Sequence, residues 1–294
     1  MYFQGLSGMK KFLGYIRIMR LPNCLMMGFA VIVGATLANS ESLKGFGLNL
    51  TYGFLTGFFL TAASMVVNDY YDREIDAVNE PERPIPSGLI KPKEALAFAF
   101  LLSVAGFIAA FLTNAANILC FITAVLFWFT SITYVTVGKR TGLLGNFLVS
   151  ACVSAPFIYG SIAVTNELRA SVFIFATMVF LSNTGREITK GIVDVPGDKA
   201  RNVKTLAVSY GERKAAVAAV TFYLLAVILT PLPPFLHLVS FWFVPLVAIT
   251  DIGLISASIM LLKDYSRENA RKVKKHVLLW FFIGLIAFIA GKIS

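Results

Sequence analysis

Residues Gly53-Phe54-Leu55-Thr56-Gly57-Phe58-Phe59-Leu60-Thr61-Ala62-Ala63-Ser64-Met65-Val66-Val67 run straight into Asn68-Asp69-Tyr70-Tyr71-Asp72-Arg73-Glu74-Ile75-Asp76. The first stretch is apolar enough for a bilayer, and the second puts three aspartates where that bilayer would end. A second acidic set, Asp194-Val195-Pro196-Gly197-Asp198, follows much later at the edge of another apolar stretch. Carboxylates beside lipid are costly, so their repetition points to a compensating cation.

Working outward, 57% apolar residues, 13% aromatics and a mean hydropathy of +0.76 over 294 residues do not describe a soluble domain. A bilayer core of about 30 Å needs about 20 apolar residues per helix. Nine candidate spans lie near 15–37, 49–67, 94–112, 117–137, 143–165, 170–190, 213–230, 235–262 and 273–291. The expected fold is all-α and polytopic. Tyr2-Phe3-Gln4-Gly5 reads as the scar of a removed purification tag, with the natural start near Met9. Residues 1–8 are therefore set apart from a single transmembrane domain over 9–294.

Lysine and arginine test that count independently. With the N-terminus inside, twenty-three of the 26 basic residues fall in inner segments, and only Lys44, Arg169 and Lys292 fall outside. The formal charge of +10 is thus mostly an orientation signal with some attraction to anionic lipid, and nucleic acid is excluded as a partner. Localisation is expected in the cell membrane, with N-terminus and acidic motifs on the cytoplasmic face. Each motif follows the second span of a four-span block, one to four and five to eight, with span nine left over. Two four-helix pseudo-repeats around a central cavity would bring equivalent helix ends face to face.

Treated as a helix continuing out of span two, Asp69, Asp72 and Asp76 share an arc of about 60°, with Asn68 four residues before Asp72. Three like charges on one face repel, and a divalent cation would remove the conflict. Hard oxygen donors without His or Cys suit Mg²⁺, which keeps waters and bridges to phosphate oxygens. The plainer alternative is that these acids end a helix beside Arg73 and balance local basic charge.

Span six is peculiar. Its clean apolar run, Ala170 to Ser182, gives only about 20 Å of helix. The polar continuation through Arg186, Glu187 and Lys190 to Asp194 would complete the crossing while lining a wet chamber. Pro196 disfavours helix at Val195, so Asp194 and Asp198 are expected to flank a kink.

These motifs resemble those of the UbiA superfamily of intramembrane prenyltransferases. Asn68 to Asp76 is similar to its first Asn-Asp-x-x-Asp-x-x-x-Asp motif and Asp194 to Asp198 to its second, and the nine-span layout covers nearly the whole chain. Asp72 to Asp76, Asn79 to Gly88, Arg186 to Lys190 and Gly197 to Leu206 look most like the archaeal subgroup that joins a geranylgeranyl group to geranylgeranylglyceryl phosphate. Pro196 departs from that subgroup, where an acidic or similar residue is expected.

The resemblance implies an isoprenyl diphosphate donor, a lipid-like glyceryl phosphate acceptor, and Mg²⁺ held by Asn68, Asp69, Asp72, Asp76, Asp194 and Asp198, with the aspartates as catalytic groups. Mg²⁺ there would stabilise the departing diphosphate as a Lewis acid. Substrate binding would fall to Arg73, Lys139, Arg140, Lys190 and Lys204, with Arg20 and Asn23 below and Tyr134 ahead of Lys139. The tails would need an apolar cavity open to lipid. An aromatic quinone precursor or a chlorophyllide is the alternative acceptor. Glu74 to Lys93 is expected to act either as a lid or as a simple tether.

Cys24, Cys120 and Cys152 lack metal or disulfide spacing, and His237 and His276 cannot pair. Asp251, deep in span eight, reads either as functional or as a neutral acid hydrogen-bonded to a neighbouring helix. A secondary transporter would also show repeats and intramembrane acids, but with its coupling acids near the midplane.

Overall fold

The computed structural model describes residues 2–40, 45, 47–200 and 203–292, and these form helices and connecting turns without a strand. Lys44 and Arg201, used in the charge count, and Met1 of the tag-like start lie outside the described residues. In chain order the helices are α1 (Tyr2–Met19), α2 (Leu21–Ala38), α3 (Gly47–Asn79), α4 (Pro92–Thr113), α5 (Leu119–Thr136), α6 (Leu143–Thr165), α7 (Ala170–Lys199), α8 (Leu206–Tyr210), α9 (Glu212–Leu229), α10 (Leu232–Phe235), α11 (Phe243–Lys263) and α12 (Arg267–Ala290). A 3-10 turn at Gly138–Arg140 links α5 to α6.

Among the described residues, eight helices are long and apolar enough to cross a membrane: α2, α3, α4, α5, α6, α9, α11 and α12. Their outward faces carry exposed Phe100, Ile108, Phe129, Ile228 and Ile252, as expected of side chains solvated by lipid. The chain is an integral membrane protein. Helix α7 spans 30 residues but carries Arg186, Glu187, Lys190, Asp194 and Asp198, too much charge to count as a span on composition alone.

Two expected spans begin later than hydropathy suggested. The first is cut at Arg20, which adopts a left-handed conformation (φ 54°) and separates α1 from α2. The eighth starts at Phe243, because Pro231, Pro233 and Pro234 confine α10 to one turn. Pro196, by contrast, does not break α7, which stays helical to Lys199. The expected kink gives way to Asp194 and Asp198 one turn apart on a continuous helix.

The helices close into a ring in which α2 packs on α3 and α6, α6 on α7, α7 on α9 and α12, α9 on α11, and α12 back on α2. The α2–α6 crossing is the tightest. A Cβ on Gly34 would lie 2.3 Å from the Phe157 carbonyl oxygen, and one on Gly160 would lie 2.0 Å from that of Val31. Lipid offers no hydrophobic drive for helices to associate, so close backbone approach through small residues supplies the dispersion energy instead.

The stretch between α3 and α4 is folded rather than slack. Ile85 and Ile90 are buried against α1, α3 and α4, and the Ile90 N–H donates to the Pro84 carbonyl at 2.9 Å. Gly88 supplies the positive φ (75°) that the reversal needs. Both apolar side chains pull the segment down over the end of α3.

Gly160→Val should therefore separate α2 from α6 and destabilise the detergent-solubilised protein by about 1–3 kcal/mol or more. Gly47→Ala, where an added Cβ meets nothing within 4 Å, should leave the thermal midpoint nearly unchanged.

Candidate functional site

Helix α3 carries its hydrogen-bonded ladder past the apolar run, so Asn68, Asp69, Asp72 and Asp76 stay on one face. The Asn68 amide donates to Asp72 Oδ2 at 2.9 Å, the i,i+4 contact that this face requires. Three carboxylates near the C-terminal end of a helix also oppose its dipole. Each is held by a cation from elsewhere. Arg20 Nη2 lies 2.6 Å from Asp69 Oδ1, Arg83 Nη1 lies 2.6 Å from Asp76 Oδ2 and 3.6 Å from Asp69, and Lys139 Nζ lies 2.6 Å from Asp72 Oδ2.

These cations arrive from three different elements. Arg20 comes from the break before α2, where a left-handed residue other than glycine costs about 1–3 kcal/mol. Arg83 comes from the folded stretch and Lys139 from the 3-10 turn. Burial raises the Asp76 carboxyl above the ordinary carboxylate range, against the pull of Arg83. Burial also lowers the Lys139 ammonium, against the pull of Asp72.

The second motif lies on α7. Buried Glu187 accepts from Arg186 Nη1 at 3.0 Å and from Lys190 Nζ at 3.4 Å. Asp194 and Asp198 are half-buried below them. Lys274, from α12, stands within electrostatic reach of Arg186, Lys190, Glu187 and Asp194.

Tyr134 and Lys139 join the halves. Lys139 Nζ lies 6.0 Å from the Tyr134 ring centre and within electrostatic reach of Lys190 and Arg20. Tyr134 in turn feels Asp72 from the first motif and Glu187 and Lys190, which precede the second motif on α7. Asp72 of the first motif and the charged residues that precede the second motif on α7 therefore share one charged mouth.

Above the mouth opens a mostly apolar cavity of about 680 Å³, reached by Asn23, Asn68, Tyr134 and Arg186. Its wall on α3 runs from Asn68 to Thr56, roughly 18 Å at helical rise. Buried Tyr159 also lines it and donates to Thr113 Oγ1 at 2.9 Å and Thr56 Oγ1 at 3.3 Å. Asp251 lines it too. Its Oδ2 accepts from Thr230 at the end of α9 at 2.7 Å, the cross-helix bond expected of a buried carboxyl.

Three residues assigned to substrate on sequence do not reach the mouth's ion pairs. Arg73 turns back onto its own helix, donating to the Tyr70 carbonyl at 2.8 Å and lying 4.7 Å over the Tyr70 ring. One residue past Asp72 is about 100° round the helix, which explains this. Arg140 and Lys204 are exposed. Arg83 and Arg186 pair with acids there instead, and Lys274 stands within electrostatic reach of Glu187 and Asp194. Arg83 had a signal in Ile85 and Ile90, apolar residues in a charged loop that must fold inward to be buried. Lys274 had none, since only packing brings α12 beside α7.

Among the described residues no three His, Cys, Asp or Glu side chains converge on one point as a cation cage. The donors still fit Mg²⁺, which uses one or two carboxylates together with substrate phosphates and retained waters.

Against known proteins, the model of the UbiA prenyltransferase family matches residues 27–286. A digeranylgeranylglyceryl phosphate synthase of Archaeoglobus fulgidus is 39% identical over 283 residues, 93% of each chain. A solved structure described as giving insight into digeranylgeranylglyceryl phosphate synthase in membranes is 34% identical, with a TM-score of 0.78 over 96% of this chain and 99% of that one. A UbiA homologue from Archaeoglobus fulgidus, solved with GPP and Mg²⁺, is 16% identical with a TM-score of 0.66, covering 94% of this chain and 99% of that one, and so shares the fold. The family match takes in both acidic motifs and every helix that lines the cavity, and on that ground this chain is a member of the UbiA prenyltransferase family.

Proposed function

We propose that this chain transfers a geranylgeranyl group from geranylgeranyl diphosphate to the hydroxyl of geranylgeranylglyceryl phosphate, forming digeranylgeranylglyceryl phosphate for archaeal ether lipids. The observation that carries this reading is that Asn68 of the first motif, Tyr134 and Arg186 of α7 border one apolar cavity, with Tyr134 in electrostatic reach of Asp72 on one side and of Glu187 and Lys190 on the other. Likeness to synthases of that name over nearly the full length supports the acceptor. Membership of a prenyltransferase family sets the transporter reading aside.

In the reaction the acceptor oxygen bonds to the donor's allylic C1. The C1–oxygen bond breaks with its electrons leaving on diphosphate, and the hydroxyl proton is released. Asn68, Asp69, Asp72, Asp76, Asp194 and Asp198 are the residues to hold Mg²⁺, which when bound supplies Lewis-acid neutralisation of the diphosphate. Arg20, Arg83 and Lys139 now neutralise the carboxylates and are placed to swing onto diphosphate oxygens, so the mouth keeps its charge balance when the anion enters. Lys190 adds positive charge from the other side, and Tyr134 packs between. Asn23 borders the cavity just above Arg20. The apolar wall holds the isoprenoid tail and keeps water from the allylic carbon.

The same reading makes α7 the ninth span, crossing with its charges turned to the wet mouth. Residues 9–294 then form one domain. The packing of α2 on α6, the first helix of each block, supports a parallel pseudo-repeat that sets α3 opposite α7. The basic bias places the N-terminus and the mouth on the cytoplasmic side, and Ile85, Ile90 and Arg83 make the α3–α4 segment a lid.

Asp72→Asn and Asp194→Asn should each cut transfer by about 10²-fold or more, and chelation of divalent ions should abolish it. Either variant retaining full activity, in an assay of labelled donor with purified protein, would sink the mechanism. Arg83→Gln should raise the donor KM about tenfold and expose residues 80–91 to protease, with the two changes appearing together. Among acceptors, geranylgeranylglyceryl phosphate should be prenylated and an aromatic quinone precursor or chlorophyllide should not. The reverse result keeps the family and replaces the acceptor.

A further inference from the structure

The wall of α7 above the second motif carries Arg186, whose charge the donor reading leaves unused. Arg186 lies eight residues before Asp194, about 12 Å further into the bundle, and borders the cavity where most of the lining is apolar. Its Nη1 is engaged with Glu187, but its Nε is buried and, among the described residues, meets no hydrogen-bond acceptor. Leaving a buried charged donor unsatisfied is costly, and a protein keeps such a group where a ligand completes it. Lys190 sits one turn nearer the mouth, and Lys274 approaches from α12.

The balance of charge also differs from that of the first motif. There, three cations meet three carboxylates. Here Arg186, Lys190 and Lys274 surround the single buried carboxylate of Glu187, with Asp194 beyond them toward the mouth. Glu187 accepts from both Arg186 and Lys190, which fixes their side chains along one face of α7.

We propose that Arg186, assisted by Lys190 and Lys274, binds the phosphate monoester of the acceptor, at a subsite separate from the carboxylates that serve the diphosphate donor. The proposal rests on the acceptor being a glyceryl phosphate, as read above. The guanidinium edge offers adjacent N–H donors in a planar fork that matches two phosphate oxygens, and the two ammonium groups complete the neutralisation of a dianion. In a monoalkylated glyceryl phosphate the phosphate ester and the free hydroxyl stand on neighbouring carbons. Anchoring the phosphate beside the cavity therefore brings the hydroxyl to the allylic end of a donor whose diphosphate sits at the mouth. A neutral acceptor would leave the guanidinium unsatisfied, so the subsite selects for phosphate.

The test compares geranylgeranylglyceryl phosphate with its dephosphorylated form, geranylgeranylglycerol, using the full chain in lipid nanodiscs with Mg²⁺ and geranylgeranyl diphosphate. The unaltered protein should favour the phosphorylated acceptor by about 100-fold or more in kcat/KM. In Arg186→Gln that preference should fall at least about tenfold through the acceptor KM, with donor binding unchanged when titrated alone, and Arg186→Lys should recover part of it. An unchanged preference in Arg186→Gln, or a loss confined to donor binding, overturns the anchor alone. Absence of transfer to geranylgeranylglyceryl phosphate by the unaltered protein overturns the acceptor reading and the anchor with it. If Arg186→Gln fails to fold, Lys274→Gln carries the same readout: a reduced preference supports the subsite and an unchanged one overturns it.

Discussion

Three carboxylates along about two turns of helix would repel one another by about 3 kcal/mol per neighbouring pair at an effective dielectric of about 20 and a spacing of about 6 Å. Much of the architecture at this end of the bundle resolves that conflict. Arg20 requires a strained break before α2, Arg83 requires the α3–α4 segment to fold inward, and Lys139 requires a 3-10 turn after α5. Elements far apart in the chain are thereby drawn to one spot by a shared electrostatic need. Pairing each acid with a separate long, flexible cation also leaves the site able to exchange partners, which a closed cage of ligands would not.

The second half of the mouth is organised differently. Glu187 acts inside α7 to orient cations rather than to hold a metal, and its own negative charge is outnumbered. One wall of the mouth thus pairs each acid with its own cation, and the other gathers Arg186, Lys190 and Lys274 around Glu187 with Asp194 and Asp198 further along α7. An enzyme that must hold a diphosphate and a phosphate at once, without letting them repel, benefits from this division. Between the walls, Tyr134 and Lys139 reach Asp72 on one side and Lys190 on the other.

Packing in the bilayer-facing body follows a simpler logic. Close contact of Gly34 and Gly160 with opposing backbones lets α2 and α6 form a rigid spine, around which the other helices leave an apolar cavity. Asp251 lines the cavity with its Oδ2 taking one short hydrogen bond from Thr230 at a helix end, while its buried Oδ1 meets no partner among the described residues.

Much was legible in the chain because it depends on local order. Helix α4 and helix α6 begin and end within two residues of their hydropathy limits, and the shared face of Asp69, Asp72 and Asp76 follows from helical period alone. Where local chemistry competes, reading fails: Arg20 interrupts an apolar run, the prolines after Thr230 delay α11, and Pro196 sits inside a helix that its neighbours hold together. Sequence by itself determined that this is a helical membrane protein with an acidic motif at the edge of each of two apolar stretches, because lipid and like charge impose those limits on any segment. Only tertiary structure decided which cations meet which carboxylates. Arg83 and Lys274 reach the mouth while Arg73 and Arg140 do not, and that depends on how distant helices cross, which no single stretch encodes.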